Sequence, residues 1–168
     1  MFVKNLLESI RVVRESERKA AEYYAEAAKD TGDPMSRELL EQLSDFEQFH
    51  YARLTKLVEQ LETSGDFIEY EGREFPAPAE IVPMAIEDPH QQISMNIISR
   101  ALELEKQAEQ AYAGIAEQIT DPQGRAMFRK LSQEEHNHYR LLNLAGLELV
   151  FGRIWMARRY IQMDQSDI

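Results

Sequence analysis

Two stretches of sequence decide the fold: EQFH at residues 47–50 and EHNH at residues 135–138. Each is a Glu-x-x-His pattern, and side chains three residues apart in an α-helix lie on the same face. A further glutamate stands 30 residues before the glutamate of each pattern, at Glu17 and at Glu105. The second set of three residues therefore repeats the first at a constant offset of 88 residues. We interpret the two sets as equivalent parts of one structure.

The offset of 88 residues extends well beyond these patterns. Between positions 10 and 54 and their counterparts, 16 of 45 positions are identical without any gap, far above chance. The chain is therefore predicted to contain two helical hairpins of one design, related by a pseudo-two-fold axis. The repeated polar residues would then meet near that axis.

Apolar residues recur at alternating spacings of three and four through four long segments, as in bundle helices that bury one stripe. Asp-Pro pairs at residues 33–34, 88–89 and 121–122 supply the N-cap and the first residue of a helix. The predicted fold class is all-α, a four-helix bundle of two homologous hairpins plus a C-terminal fifth helix. The predicted helices span about residues 2–31, 34–63, 89–119, 122–145 and 147–163.

The remaining segments connect these helices. Prolines between residues 76 and 83 oppose a long helix there, so residues 64–88 are predicted to be a crossover between the hairpins. Within it, residues 67–75 could form a small hairpin or an extended strap. Gly146 or Gly152 would separate the fourth helix from the fifth.

The composition narrows the function. A chain of 168 residues is expected to form a single domain, residues 1–168, with a sizeable core. The net charge of −11 opposes a nucleic-acid partner, because phosphate binding needs a basic face. No apolar run approaches the ~18–20 residues of a membrane span, and the N-terminus lacks a signal-peptide pattern, so we expect a cytoplasmic protein without a membrane segment. The absence of cysteine excludes disulfides, cysteine-ligated metals and thiol catalysis within this sequence.

Six polar residues interrupt the apolar stripes at equivalent levels of the four helices. A single glutamate there is usually an edge residue, and a single histidine is more often a hydrogen-bonded core residue. Four buried carboxylates without a Lys or Arg among them, however, would each cost on the order of several kcal/mol. Two divalent cations would neutralise them, and two of the carboxylates could bridge ions about 3.5–4 Å apart. Mixed carboxylate and imidazole ligation suits iron or manganese, with zinc possible. The predicted ligands are Glu17, Glu47, His50, Glu105, Glu135 and His138.

Two tyrosines also repeat. Tyr24 and Tyr112 each follow a predicted ligand glutamate by seven residues, about two helical turns, so each phenol lies on the same inward face. They could be amphipathic core residues whose hydroxyls need a partner. The repetition favours the alternative that each hydroxyl donates a hydrogen bond to a ligand carboxylate on a neighbouring helix.

The sequence that contains these residues resembles those of the ferritin-like superfamily and, within it, the rubrerythrin-type domains. The resemblance covers residues 5 to about 145 and rests on ERKAAEYY at 17–24 and EKQAEQAY at 105–112, each followed by its Glu-x-x-His. It implies a di-iron centre that reacts with peroxide or dioxygen, with the six predicted ligands holding two iron ions per chain.

The sequence also departs from relatives of this type. Rubrerythrins carry a cysteine-ligated rubredoxin module that supplies electrons, and without cysteine the resemblance implies an external electron donor. Rubrerythrins place an extra carboxylate near the third-helix ligand, whereas the residues three positions on either side of Glu105 are Leu102 and Ala108. Bacterioferritins bind haem through a methionine where this chain has Gln48, so no haem is expected.

The leading hypothesis is a di-iron carboxylate oxidoreductase, of peroxidase or ferroxidase type, working as a homodimer with a small-molecule oxidant. One alternative is iron storage in a ferritin-like cage, with which a fifth helix is compatible. Another is a non-catalytic metal-binding protein, with zinc in the site.

Overall fold

The computed structural model describes residues 2–75 and 91–151, and within these ranges all regular secondary structure is helical. Two of the described helices begin at an aspartate that caps the N-terminus. Asp33 accepts a hydrogen bond from the backbone N–H of Ser36 at 2.7 Å, and Asp121 accepts one from Gly124 at 2.7 Å. The four helices are α1 (Phe2–Asp30), α2 (Pro34–Thr63), α3 (Gln91–Gln118) and α4 (Pro122–Phe151).

The helices pack as two hairpins. Helix α1 lies along α2 and α3 lies along α4, and the hairpins meet mainly through α1 and α3. The prediction of an all-α, ferritin-like four-helix bundle is confirmed. None of the helices in the described ranges is both long and apolar enough to cross a lipid bilayer.

The core has two apolar clusters with a polar layer between them. On α1, Ile10 and Val13 belong to one cluster and Tyr24 and Ala27 belong to the other. Glu17 stands between these pairs in the sequence and is itself buried. The same order holds on the other helices, so apolar residues close the polar layer at both ends of the bundle. This arrangement closes the predicted centre to bulk water along the bundle axis.

The described part of the crossover follows α2 as a strap. Residues 65–75 contain no regular secondary structure, which agrees with the extended strap rather than the small hairpin. Ile68 is buried and joins one apolar cluster, and Gly72 has a φ of +82°, a conformation open mainly to glycine. The rest of the crossover and the first residues of the predicted third helix lie outside the described residues.

One predicted boundary is wrong. Helix α4 does not end near residue 145 but continues through Gly146 to Phe151, so residues 147–151 belong to α4 and do not begin a fifth helix. Gly146 is buried, and a Cβ there would lie 3.2 Å from Cγ2 of Ile98. The glycine therefore allows α3 and α4 to pack closely instead of breaking the helix. The remainder of the predicted fifth helix, over 147–163, lies outside the described residues.

Candidate metal centre

The structure brings together all six residues that the sequence singled out. Each helix contributes to the group, and none of the six is more than 3% exposed. Their side-chain donors form two sets, each with all donor atoms within 4.8 Å of one another. Glu47 and Glu135 belong to both sets. The first set is Glu17, Glu47, His50 and Glu135, and the second is Glu47, Glu105, Glu135 and His138.

The two histidines present the same ring nitrogen to the carboxylates. Nδ1 of His50 lies 2.9 Å from Oε1 of Glu135 and 3.2 Å from Oε2 of Glu47. Nδ1 of His138 lies 3.3 Å from Oε2 of Glu105 and 3.4 Å from Oε2 of Glu135. The two imidazole rings are stacked with centroids 6.0 Å apart. The pseudo-two-fold relation seen in the sequence is thus present in the geometry of the site.

The two tyrosines connect the hairpins. The hydroxyl of Tyr24, on α1, donates to Oε1 of Glu105 on α3. The hydroxyl of Tyr112, on α3, donates to Oε1 of Glu17 on α1. Because each bond crosses from one hairpin to the other, each tyrosine orients a carboxylate that its own helix does not carry.

Burial and neighbouring charges divide the carboxyl groups into two pairs. Burial and then the charge of Glu47 raise the pKa of both Glu17 and Glu105 well above the usual value. Burial also opposes ionisation of Glu47 and Glu135, but the adjacent histidines contribute to a net lowering of their pKa. The carboxyl groups shared by both sets are therefore the ones that ionise first.

The histidines show the complementary effect. Burial is the largest single influence and by itself would lower the pKa of each imidazole, but the surrounding carboxylates together outweigh it, chiefly Glu135 and Glu134 at His50 and Glu105 and Glu135 at His138. Both pKa values are raised well above the usual value of 6.5. These shifts favour a metal-free cluster in which two imidazolium groups balance the two shared carboxylates.

Several buried oxygen and nitrogen atoms in the centre lack a hydrogen-bond partner within the described part of the chain. They are Oε1 of Glu47, Oε2 of Glu105, both carboxylate oxygens of Glu135 and Nδ1 of His138. Unsatisfied buried polar atoms are costly and uncommon in native proteins, and here they converge on one space. Oxygen and imidazole donors in this number are the ligands that iron, manganese and zinc use. The residues therefore fit a pair of divalent cations.

A residue that the sequence reasoning missed also touches the centre. Glu134 is buried, and its Oε2 lies 3.0 Å from Nε2 of His50. The repeat could not reveal it, because the position equivalent to Glu134 is Phe46. Its immediate neighbour Glu135 was found because it repeats. A buried glutamate present in only one hairpin carries no signal in the repeat.

A cavity of about 380 Å³ lies between α1 and α3 and connects the centre with the surface. The four glutamates of the centre line its inner part, and exposed residues including Lys19 and Arg100 line its outer part. Ala20 and Ala108, which are equivalent in the repeat, also line it. Small side chains at both positions leave a path to the carboxylates.

The fold and this cluster define a class of protein: four-helix bundles that carry carboxylate and histidine groups suited to metal ions in their core. Within that class, the chain belongs to the rubrerythrin family, whose sequence model matches residues 4–145. The chain has the same fold as a solved structure, "Hypothetical Protein Pfu-1136390-001" from Pyrococcus furiosus, with a TM-score of 0.68 and 22% sequence identity. That similarity covers 86% of this chain and 90% of the other. A search of curated protein sequences found no significant match.

Proposed function

We propose that this protein is a di-iron oxidoreductase that reduces peroxide or dioxygen with electrons from an external donor. The observation that carries the proposal is the pair of donor sets with two shared carboxylates, Glu47 and Glu135. Such sharing suits two cations held side by side better than two independent sites. Membership of the rubrerythrin family favours iron over manganese or zinc.

The chain's own residues would perform four tasks. Glu17 and Glu105 would each ligate one cation through Oε2, which lies near a histidine of the centre, because Oε1 accepts the tyrosine hydrogen bond. His50 and His138 each offer Nδ1 to one position. The shared carboxylates of Glu47 and Glu135 lie between the positions. Bound iron would supply two one-electron steps, so that both electrons needed to reduce a peroxide are stored in one place.

Different parts of the bundle exclude water from the centre and admit the oxidant to it. The apolar clusters close the centre along the bundle axis, whereas the cavity between α1 and α3 opens it from one side. A small neutral oxidant could enter there without displacing a helix. The sequence has no cysteine to ligate an iron–sulfur centre, and we propose that a separate reductase or a small reductant restores the reduced state.

The test is stopped-flow mixing of the anaerobic, Fe(II)-loaded protein with hydrogen peroxide. We expect a rapid rise of ferric absorbance in the near ultraviolet, faster than that of the same Fe(II) free in buffer. Zinc-loaded protein is the control without redox activity. Glu47→Ala should abolish binding of two ions per chain, while Glu41→Ala, at an exposed position on α2, should not change it. Loaded protein that reacts no faster than free Fe(II) would refute the proposal.

We also propose that the protein works as a homodimer and does not store mineral. The long crossover and the rubrerythrin-type hairpins support a small assembly. Size-exclusion chromatography with light scattering tests this directly, since a dimer elutes far from a hollow cage of many subunits. A cage that retains ferric mineral would instead support iron storage. Metal analysis of protein from iron-replete cells separates both from a zinc-binding role.

A further inference from the structure

We infer that the two metal positions are unequal, and that Glu134 makes the position containing His50 the first to fill. This inference rests on the metal centre proposed above and concerns the order and strength of binding. Glu134 is in neither donor set, but it contacts a member of one of them. It is a positioning residue that acts through His50.

Both carboxylate oxygens of Glu134 are engaged. Oε2 lies 3.0 Å from Nε2 of His50 and also accepts a hydrogen bond from the hydroxyl of Tyr70. Oε1 accepts a hydrogen bond from the backbone N–H of Arg73 at 2.8 Å. Because Nε2 of His50 donates to Glu134, Nδ1 is the nitrogen that faces the centre and can bind a cation.

The strap that follows α2 holds Glu134 in place. At Gly72 a Cβ would collide with Oε1 of Glu134 and with the side chain of Lys130, so only glycine allows the strap to approach this closely. The guanidinium of Arg73 lies 4.6 Å from the centre of the Phe46 ring on α2. The strap therefore contacts both α2 and α4 beside His50, which restricts the carboxylate to one orientation.

The other histidine has different surroundings. At the position equivalent to Glu134 in the repeat the first hairpin has Phe46, whose ring lies edge-on to the His138 ring with centroids 4.8 Å apart. Phe75, from the strap, lies 5.4 Å from the same imidazole. Within residues 2–75 and 91–151, no carboxylate accepts a hydrogen bond from Nε2 of His138. Both imidazoles lie against aromatic rings, but in the described part of the chain only Nε2 of His50 is hydrogen-bonded to a carboxylate.

This difference has a direct consequence for metal affinity. A carboxylate behind a ligand histidine fixes the ring and its tautomer and raises the basicity of the binding nitrogen, and loss of such a partner typically costs about 10–100-fold in affinity. The two positions otherwise offer the same residue types, three glutamates and one histidine each. Metal should therefore bind in two steps, with the His50 position filling first and the dissociation constants separated by roughly 10–100-fold.

The experiment is a titration of the apoprotein with cobalt(II), followed by calorimetry and by the visible absorption of the bound ion. The wild-type chain should give two resolved steps. Glu134→Gln should weaken the first step by about 10-fold or more and leave the second within about 3-fold. Glu41→Gln, an exposed carboxylate on α2, is the matched control and should leave both steps as in the wild type.

Two double variants and one tyrosine variant locate the effect. Glu134→Gln should weaken binding when added to His138→Ala, which retains His50, but not when added to His50→Ala. Tyr70→Phe removes one hydrogen bond from Glu134 without creating a charge, and it should weaken the first step by a smaller factor. This variant takes the place of Glu134→Gln if that substitution prevents folding. Two equal steps in the wild type would overturn the inference, as would an equal loss at both steps or an effect that persists in His50→Ala. If the wild type shows two equal metal-binding steps but still reacts with peroxide, the inference fails and the proposed function stands.

Discussion

Loading the metal-free protein with two divalent cations should release about four protons per chain near pH 7. Cations can bind only after protons leave the groups that ligate them. The pKa of Glu17 and Glu105 is raised well above the usual value, mainly by burial, which favours the protonated form of both carboxyl groups in the apoprotein. The pKa of His50 and His138 is raised by the surrounding carboxylates, which outweigh burial. These four groups each carry one displaceable proton.

The count follows from charge balance. In the apoprotein the two shared carboxylates, with lowered pKa, carry two negative charges that the two imidazolium groups balance. In the loaded protein four carboxylates balance two divalent cations. The cluster is neutral in both states, so four positive charges must leave as protons when four arrive as metal. Each histidine keeps its Nε2 proton and loses the one on Nδ1.

The assay is isothermal titration calorimetry with manganese(II) in three buffers of equal pH and different ionisation enthalpy. The slope of the observed enthalpy against the buffer enthalpy gives the protons released. Apparent affinity should rise with pH, because protons and cations compete for the same atoms. His138→Ala should release about one proton fewer when both positions are filled. A release below about two protons for two bound ions would refute the assigned protonation states.

Three more predictions follow from the geometry. Tyr112→Phe leaves Oε1 of Glu17 without its donor, so the free energy of unfolding of the apoprotein, from urea titration, should fall by about 1–3 kcal/mol; a loss no larger than in Tyr51→Phe, at a half-buried tyrosine of α2, would contradict this. Ala108→Leu should narrow the cavity and slow the reaction with peroxide severalfold while both cations still bind; an unchanged rate would show that the oxidant enters elsewhere. The apoprotein should lose stability as the pH rises above about 6.5, because folding raises the pKa of both histidines. The stabilisation from the two imidazolium groups is complete below the pKa of unfolded histidine and is lost as the pH rises through the pKa of the folded state. Equal urea midpoints at pH 6 and pH 9 would contradict this, and zinc-loaded protein is the control.

The repeat explains why so much of the centre could be predicted. Glu47 and His50 were recognisable because an internal copy showed the same residues at the same spacing. A helix of known period places such residues on one face, and a pseudo-two-fold axis brings two copies of that face together. The crossed bonds of Tyr24 and Tyr112 follow from the same symmetry. None of this depends on the detailed path of the connections.

Features that break the repeat could not be predicted from the sequence, because they depend on tertiary structure. Gly146 has a low intrinsic helix propensity and suggested a helix end, yet close packing against Ile98 keeps it inside α4. Local propensity amounts to about 1 kcal/mol at a glycine, which tertiary packing readily outweighs. Glu134 has no copy, and its partners Tyr70 and Arg73 come from a strap without periodicity.

The sequence by itself determined the four helices of the bundle, their pairing in two hairpins and the six polar residues at one level of the core, because repetition and helical period are visible in a single chain. Only the tertiary structure decided that Glu47 and Glu135 are the shared carboxylates, since that requires the distances between side chains on different helices. It also decided that the two histidines differ. The strap holds the carboxylate of Glu134 against His50 and places the ring of Phe75 beside His138, and a connection without periodicity can take that path only when the whole bundle is folded.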